Sequence, residues 1–189
     1  MPKDKPKDAK PLSPEELLKL GIEHVRAVLI GSRDQFLTQF TLVKANGHVD
    51  ICATPWRDDK EKREMVFGVC LQGIKENMVA YSFATEAWFA TSKFKGSQEQ
   101  QPPPLGPMPR DRPDKKEGIV IIAGDGKGHK FNCWEIVRDS GGACKELELK
   151  EDPSGFESWI TDALDRVLTL NALDKDGSFR DKLKGFFKE

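Results

Sequence analysis

A chain of 189 residues is long enough for one domain with a real buried core, and 38% hydrophobic residues can supply it. Lys plus Arg (30) nearly cancels Asp plus Glu (31), so the basic surplus that binds a phosphate backbone is missing and nucleic acid is not an expected partner. No apolar run reaches the ~20 residues that span a bilayer, and the first residues lack the apolar stretch of a secretory signal, so a cytoplasmic protein is expected.

Residues 1–12 alternate Lys, Asp and Pro and read as a disordered arm, leaving a single domain over 13–189. Ser13 opens the first helix. It stands as an N-cap, Pro14 takes the first helical position, and Glu16 completes a capping box. Leu17, Leu18, Ile22, Val25, Val28 and Leu29 form the apolar stripe, with His24 beside it, and Gly31-Ser32 ends the helix. Residues 36–54 read as a β-hairpin. Asn46-Gly47 is the pair favoured in a type I′ turn, where both positions take positive φ. Pro55-Trp56 closes it.

A second helix begins near Asp58 or Asp59, either of which can cap it. Met65, Val66, Val69, Cys70, Gly73 and Ile74 give its buried side. Gly68 and Gly73 allow close approach to a sheet. Residues 78–90 then alternate: Val79, Tyr81, Phe83, Ala87 and Phe89 share one face, and Ala80, Ser82, Ala84, Glu86 and Trp88 the other. Both faces can be covered, so a central strand is expected. Residues 93–116 are rich in Pro and read as a flexible loop, excluding both helix and ladder. Residues 118–138 form a second hairpin around Gly124-Asp125-Gly126-Lys127-Gly128. Residues 139–150 read as a polar loop leading to an extended stretch. Asp152 or Ser154 caps the last long helix, whose stripe is Phe156, Trp159, Ile160, Ala163, Leu164, Val167 and Leu168. A short basic and aromatic helix over 178–189 follows.

The chemistry-bearing motifs are sparse. The glycine-rich turn at 124–128 lacks phosphate-loop spacing, and no helix follows it to present converging amides. Asp174-Lys175-Asp176-Gly177 resembles part of a calcium loop, but that alignment puts Ala172 and Leu183 at ligand positions, so a helix-separating turn is the better reading. Cys52, Cys70, Cys133 and Cys144 form no C-x-x-C pair and lie at no zinc-like spacing from a His. No metal and no cofactor is expected, and the cysteines read as small reduced hydrophobes. A catalytic set would have to be assembled in space. Its candidates are Glu86 on the central strand with Asp125 and His129 from the second hairpin, since a carboxylate on a covered face can have a raised pKa and act as a base. Trp56, Trp88 and Phe187 are the candidate aromatic contacts for a partner, either another protein or a second copy of the chain.

Ser82-Phe-Ala-Thr-Glu-Ala-Trp, then Arg112-Pro-Asp-Lys-Lys-Glu, then Gly118-Ile-Val-Ile-Ile resembles a pattern of small uncharacterised bacterial and phage proteins. In that family a Glu-Ala-Trp strand precedes Pro-Asp-Arg-x-Glu and a hydrophobic strand. The resemblance covers the middle third, with Lys115 where an Arg is usual, and implies no activity.

The elements add up to an α+β domain in the order α-β-β-α-β-β-β-α-α. The expected sheet has five strands, is mixed but mostly antiparallel, and carries its helices mainly on one face. The strand over 78–90 should lie parallel to an earlier one through a right-handed crossover. The expected function is non-catalytic binding or assembly, of bacterial or phage origin. The alternative is a small hydrolase-like or nucleotide-related enzyme built on Glu86, Asp125 and His129.

Overall fold

The computed structural model describes residues 12–89, 113, 115–150 and 159–186. Its elements are α1 (Pro14–Leu29), β1 (Gln39–Lys44), β2 (Val49–Ala53), α2 (Asp59–Lys75), β3 (Met78–Phe89), β4 (Lys116–Gly124), β5 (His129–Arg138), β6 (Cys144–Lys150), α3 (Trp159–Leu173) and α4 (Ser178–Phe186). The six strands form one open sheet in the order β2-β1-β3-β4-β5-β6. β3 and β4 are the middle pair, so the aromatic strand is central, as its two coverable faces required.

Three details depart from expectation. The strands number six, because Cys144–Lys150 pairs with β5 from Cys133↔Lys150 to Arg138↔Cys144. Its alternate charges Glu146, Glu148 and Lys150, with Lys145 beside them, give it the polar composition of a loop. Every neighbouring pair is antiparallel, so the sheet is not mixed. The crossover through α2 does carry the chain from β2 to a strand of the same direction. That strand is inserted beyond β1, however, and so pairs antiparallel with β1 from Gln39↔Ala84 to Val43↔Ala80. Finally, the helices cover both faces. α2 and α3 share one, and α1 takes the other.

The two faces are two separate cores. Phe40, Leu42, Tyr81, Phe83, Val120 and Ile122 point at α2 and α3, meeting Val66, Val69, Leu164 and Val167. Ala80, Ala84, Ile119, Ile121, Trp134 and Ile136 point at α1, meeting Leu17, Leu18, Ile22, Val25 and Leu29. Val28 of the expected α1 stripe and Trp159 of the expected α3 stripe are exposed instead. Each sits just off the arc its helix buries.

Local signals act largely as read. The Ser13 hydroxyl accepts from the Glu16 amide, and the Glu16 carboxylate accepts from the Ser13 amide at 2.7 Å, closing the capping box. Asp58 is the cap of α2, accepting from the Glu61 amide at 2.8 Å. Gly73 does permit close packing, because a Cβ there would lie 3.2 Å from Val167 Cγ1; Gly68 has open space and needs no such explanation. The first hairpin closes with a three-residue loop rather than a type I′ turn. Gly47 has φ 81, while Asn46 keeps a negative φ and uses its side-chain oxygen to accept from the His48 amide. This is a turn ending in a left-handed glycine, a common solution for three-residue loops. The turn at Asp174 works as a helix separator: its carboxylate accepts from the Phe179 and Arg180 amides at 3.0 and 3.1 Å and so caps α4.

Residues 1–11 of the expected arm, 93–112 and 114 of the expected loop, the cap candidates Asp152 and Ser154, Phe156 and Phe187 lie outside the described residues. The last residue of that expected loop, Lys116, opens β4. Among the described residues, no helix is long and apolar enough to cross a membrane.

Candidate functional site

The sheet is wider than the helix that covers its α1 face. α1 lies over β3, β4 and β5, close enough that a Cβ on Gly21 would stand 3.0 Å from Ile121 Cγ2. The small residues of β3 and β4 on that face, Ala80, Ser82, Ala84 and Ala123, invite this close seat. Among the described residues, no helix covers the β1–β2 side of this face. Strand register defines three cross-strand rows there: Val49–Val43–Ala80, Ile51–Thr41–Ser82 and Ala53–Gln39–Ala84. Thr41 and Ser82 of the second row, with Gln39 and Ala84 of the third, form the floor of a groove.

This groove has a volume of about 260 Å³. Leu17, Leu20, Gly21 and His24 of α1 form one wall, with Leu12 at its end. Val49 and Ile51 form the other. Its lining is mostly apolar, with the polar groups of Thr41, Ser82 and Gln39 spaced along the floor. Leu20 is 50% exposed and Ile51 62%, which is unusual for large aliphatic side chains facing each other across a groove. His24 is held edge-on to Phe36, with ring centroids 6.4 Å apart. His24 was legible only as a residue beside the α1 stripe. The groove itself was not legible, because it needs the lateral position of α1 on the sheet.

The three catalytic candidates do not converge. Glu86 pairs across from Ile119, whereas Asp125 and His129 flank the β4–β5 turn beyond Gly124, which pairs with Tyr81. Five residues of strand separate the two levels, roughly 17 Å at ~3.4 Å per residue. The side chains also take opposite faces of the sheet: Glu86 shares the α1 face with Ala84, and His129 reaches α3.

Each candidate has local work. The Phe36 amide donates to Glu86 Oε1, fixing the chain entering β1 to the end of β3. Burial pushes the Glu86 carboxyl up; the Phe36 amide opposes this, the Glu117 charge adds to it, and Arg138 opposes it. Arg138 is itself engaged with Glu117, its Nε 2.8 Å and its Nη2 2.6 Å from the two carboxylate oxygens. Asp125 accepts from the Lys127 amide at 3.0 Å, folding its own turn. His129 Nδ1 lies 3.4 Å from Asp165 Oδ2, and the Tyr81 hydroxyl donates to Asp165 Oδ1 at 2.8 Å. This Tyr81–Asp165–His129 set ties α3 to the centre of the sheet. Tyr81 is fully buried and its pKa is pushed far up, first by burial and then by the hydrogen bond to Asp165, so it stays protonated as the donor of that tie. Tyr81 could have been found from sequence as the sole tyrosine, placed on a central strand and obliged to find a partner for its hydroxyl.

The aromatic contact candidates are similarly placed. Trp56 packs at the margin of the α2–α3 core with the Lys62 ammonium 5.3 Å from its ring centroid. Trp88 is exposed at the end of β3, with the Lys115 ammonium 5.0 Å from its ring. Neither lines the groove. Cys133 and Cys144 are buried and Cys52 and Cys70 half-buried; burial raises all four thiols, Cys70 to about 11, which leaves them unreactive. Among the described residues, no group of three His, Cys, Asp or Glu side chains is arranged to hold a metal. No family model, no curated protein and no solved structure matches this chain.

Proposed function

We propose that this is a non-catalytic binding protein whose working surface is the groove between α1 and strands β1 and β2. The carrying observation is a concave apolar surface whose two walls, Leu20 and Ile51, face each other half-exposed over a floor of Thr41 and Ser82. A volume near 260 Å³ suits one or two inserted side chains better than an enclosed small molecule, for which ~300–1,000 Å³ is usual. The fitting occupant is therefore an apolar segment of another protein, its side chains seated in the groove and its polar atoms met by the hydroxyls of the floor. The enzyme alternative draws no support from the geometry, since Glu86 and the Asp125–His129 pair occupy opposite faces and each is already engaged.

The test is a screen of apolar peptides against the full chain, mapped by amide chemical shifts. Shifts confined to Leu20, His24, Thr41 and Ser82, and lost in Leu20→Glu, are expected. Shifts centred instead on Tyr81 and His129, or binding indifferent to Leu20→Glu, would remove the groove from consideration. A parallel esterase and phosphatase screen with Glu86→Gln addresses the alternative: activity abolished in that variant, with the fold intact, would favour the enzyme.

A further inference from the structure

The two edges of the sheet are treated differently. β6 is guarded. Lys145, Glu146, Glu148 and Lys150 line it, its register shifts at Val137/Arg138, and Ile30 from the end of α1 bridges to Cys144 at its start. These are common devices against further strand pairing. β2 carries none of them. Its exposed residues are Val49, Ile51 and Ala53, and its only charge between them, Asp50, is tied to Lys44 at 2.8 Å.

The hydrogen-bond register of β2 can be read from its two ends. The Lys44 amide donates to the His48 carbonyl and the Thr54 amide to the Thr38 carbonyl. In an antiparallel pair, bonded and non-bonded positions alternate. Hence His48, Asp50, Cys52 and Thr54 turn their backbone groups toward β1. Val49, Ile51 and Ala53 turn theirs outward, where no described strand meets them.

We infer that β2 is the pairing edge of a two-fold dimer, in which a second copy of this chain adds its own β2 antiparallel about Ile51. The register is self-complementary. Ile51 pairs with the second copy's Ile51, Val49 with its Ala53, and all three outward residues exchange both of their hydrogen bonds. Asp50 falls opposite Cys52, not opposite another Asp50, so no like charges meet across the axis. The axis runs normal to the sheet, so both α1 helices stay on one side. The two sheets become one of twelve strands, and the two grooves meet along a seam of Ile51 side chains. The second copy thus extends the Val49–Ile51 wall of each groove into a continuous apolar seam. This inference stands on β2 and does not depend on what fills the groove.

The full chain is tested by sedimentation across concentration, with amide exchange read on the same samples. The ladder is short, so association should be reversible, with the mass rising toward twice the monomer value as concentration increases. Protection at the Val49, Ile51 and Ala53 amides should rise with it. Ile51→Pro removes only an outward N–H, and edge positions tolerate Pro, so β1–β2 pairing should survive while the dimer is lost. Ile51→Lys, at an exposed position, sets like charges opposite each other and should also give a monomer, which covers the case of a misfolded proline variant. Monomer mass persisting to millimolar chain overturns the inference. So does a dimer that survives both substitutions, and so does protection of the three amides that ignores concentration, which would mean the chain covers its own edge.

Discussion

The two faces of the sheet are built on opposite plans, and the difference explains where the surface is left open. On the α2–α3 face β3 presents Tyr81 and Phe83, flanked by Phe40 and Ile122, and two helices are needed to cover side chains of that size. On the α1 face β3 presents Ala80, Ser82 and Ala84, and a single helix seats close against them. The filled α2–α3 face is buried from Phe40 of β1 across Phe83 and Ile122 to Cys133 of β5, and opens only at its far edge, where Glu146 and Glu148 stand. The close-seated α1 face is buried beneath its helix and out to Val43, and on β2 Val49 and Ile51 keep their apolar side chains in view.

The largest expected effect tests the filled face. Leu164 of α3 is fully buried against the sheet, in the core that includes Tyr81, Phe83 and Ile122. Leu164→Ala should cost about 2–5 kcal/mol, as deletions of buried leucines do, measured as a shift of the urea midpoint at unchanged slope. A loss under about 1 kcal/mol, the range of well-tolerated swaps, would mean that the face is loosely packed and the contrast is false.

The close-seated face should respond to the opposite change. Gly21→Ala removes a helix-interior glycine, which alone favours the helix by about 1 kcal/mol. Its new Cβ would stand 3.0 Å from the Cγ2 of Ile121, a fully buried side chain. Overpacking of this kind costs about 1–3 kcal/mol, so the net expectation is a destabilisation of about 1 kcal/mol, with amide shifts spreading from α1 into β4. A stabilised variant would show that α1 is free to lift, and that the groove beside it varies in depth.

What the chain discloses before folding follows from the range of the forces involved. The capping box at Ser13, the cap at Asp58 and the alternation of residues 78–89 are local, and each is written in neighbouring residues. The central place of β3 followed from its two coverable faces. β6 was obscured because an edge strand protected by charges at alternate positions has the composition of a loop. The insertion of β3 beyond β1 was not legible, because β2 and β3 do run in the same direction and only pairing distinguishes the two topologies. The site was less legible still. Glu86, Asp125 and His129 were grouped by chemistry, and register alone separates them. The groove depends on how far α1 sits from the sheet edge, which no stretch of sequence encodes.

The smallest expected effect concerns the rim where the α1 face ends, and it is read through pH. Glu86 holds the Phe36 amide there, and its carboxyl is raised above its ordinary value of 4.5, chiefly by burial. A raised carboxyl binds its proton more tightly in the folded chain than in the unfolded one. Stability from this group is therefore complete below the ordinary value and is lost as pH rises through the folded value. Glu86→Gln keeps an oxygen to accept from Phe36 and cannot ionise. The variant should match the wild type in acid and gain on it as pH climbs through the carboxylate range, seen as a widening difference in melting temperature. Nearby Glu117 and Arg138 are paired with each other in both proteins and cancel in the comparison. A difference that stays flat with pH would show Glu86 to be as well solvated as any surface carboxylate, and the close-seated face would then be open at this end as well as along the groove.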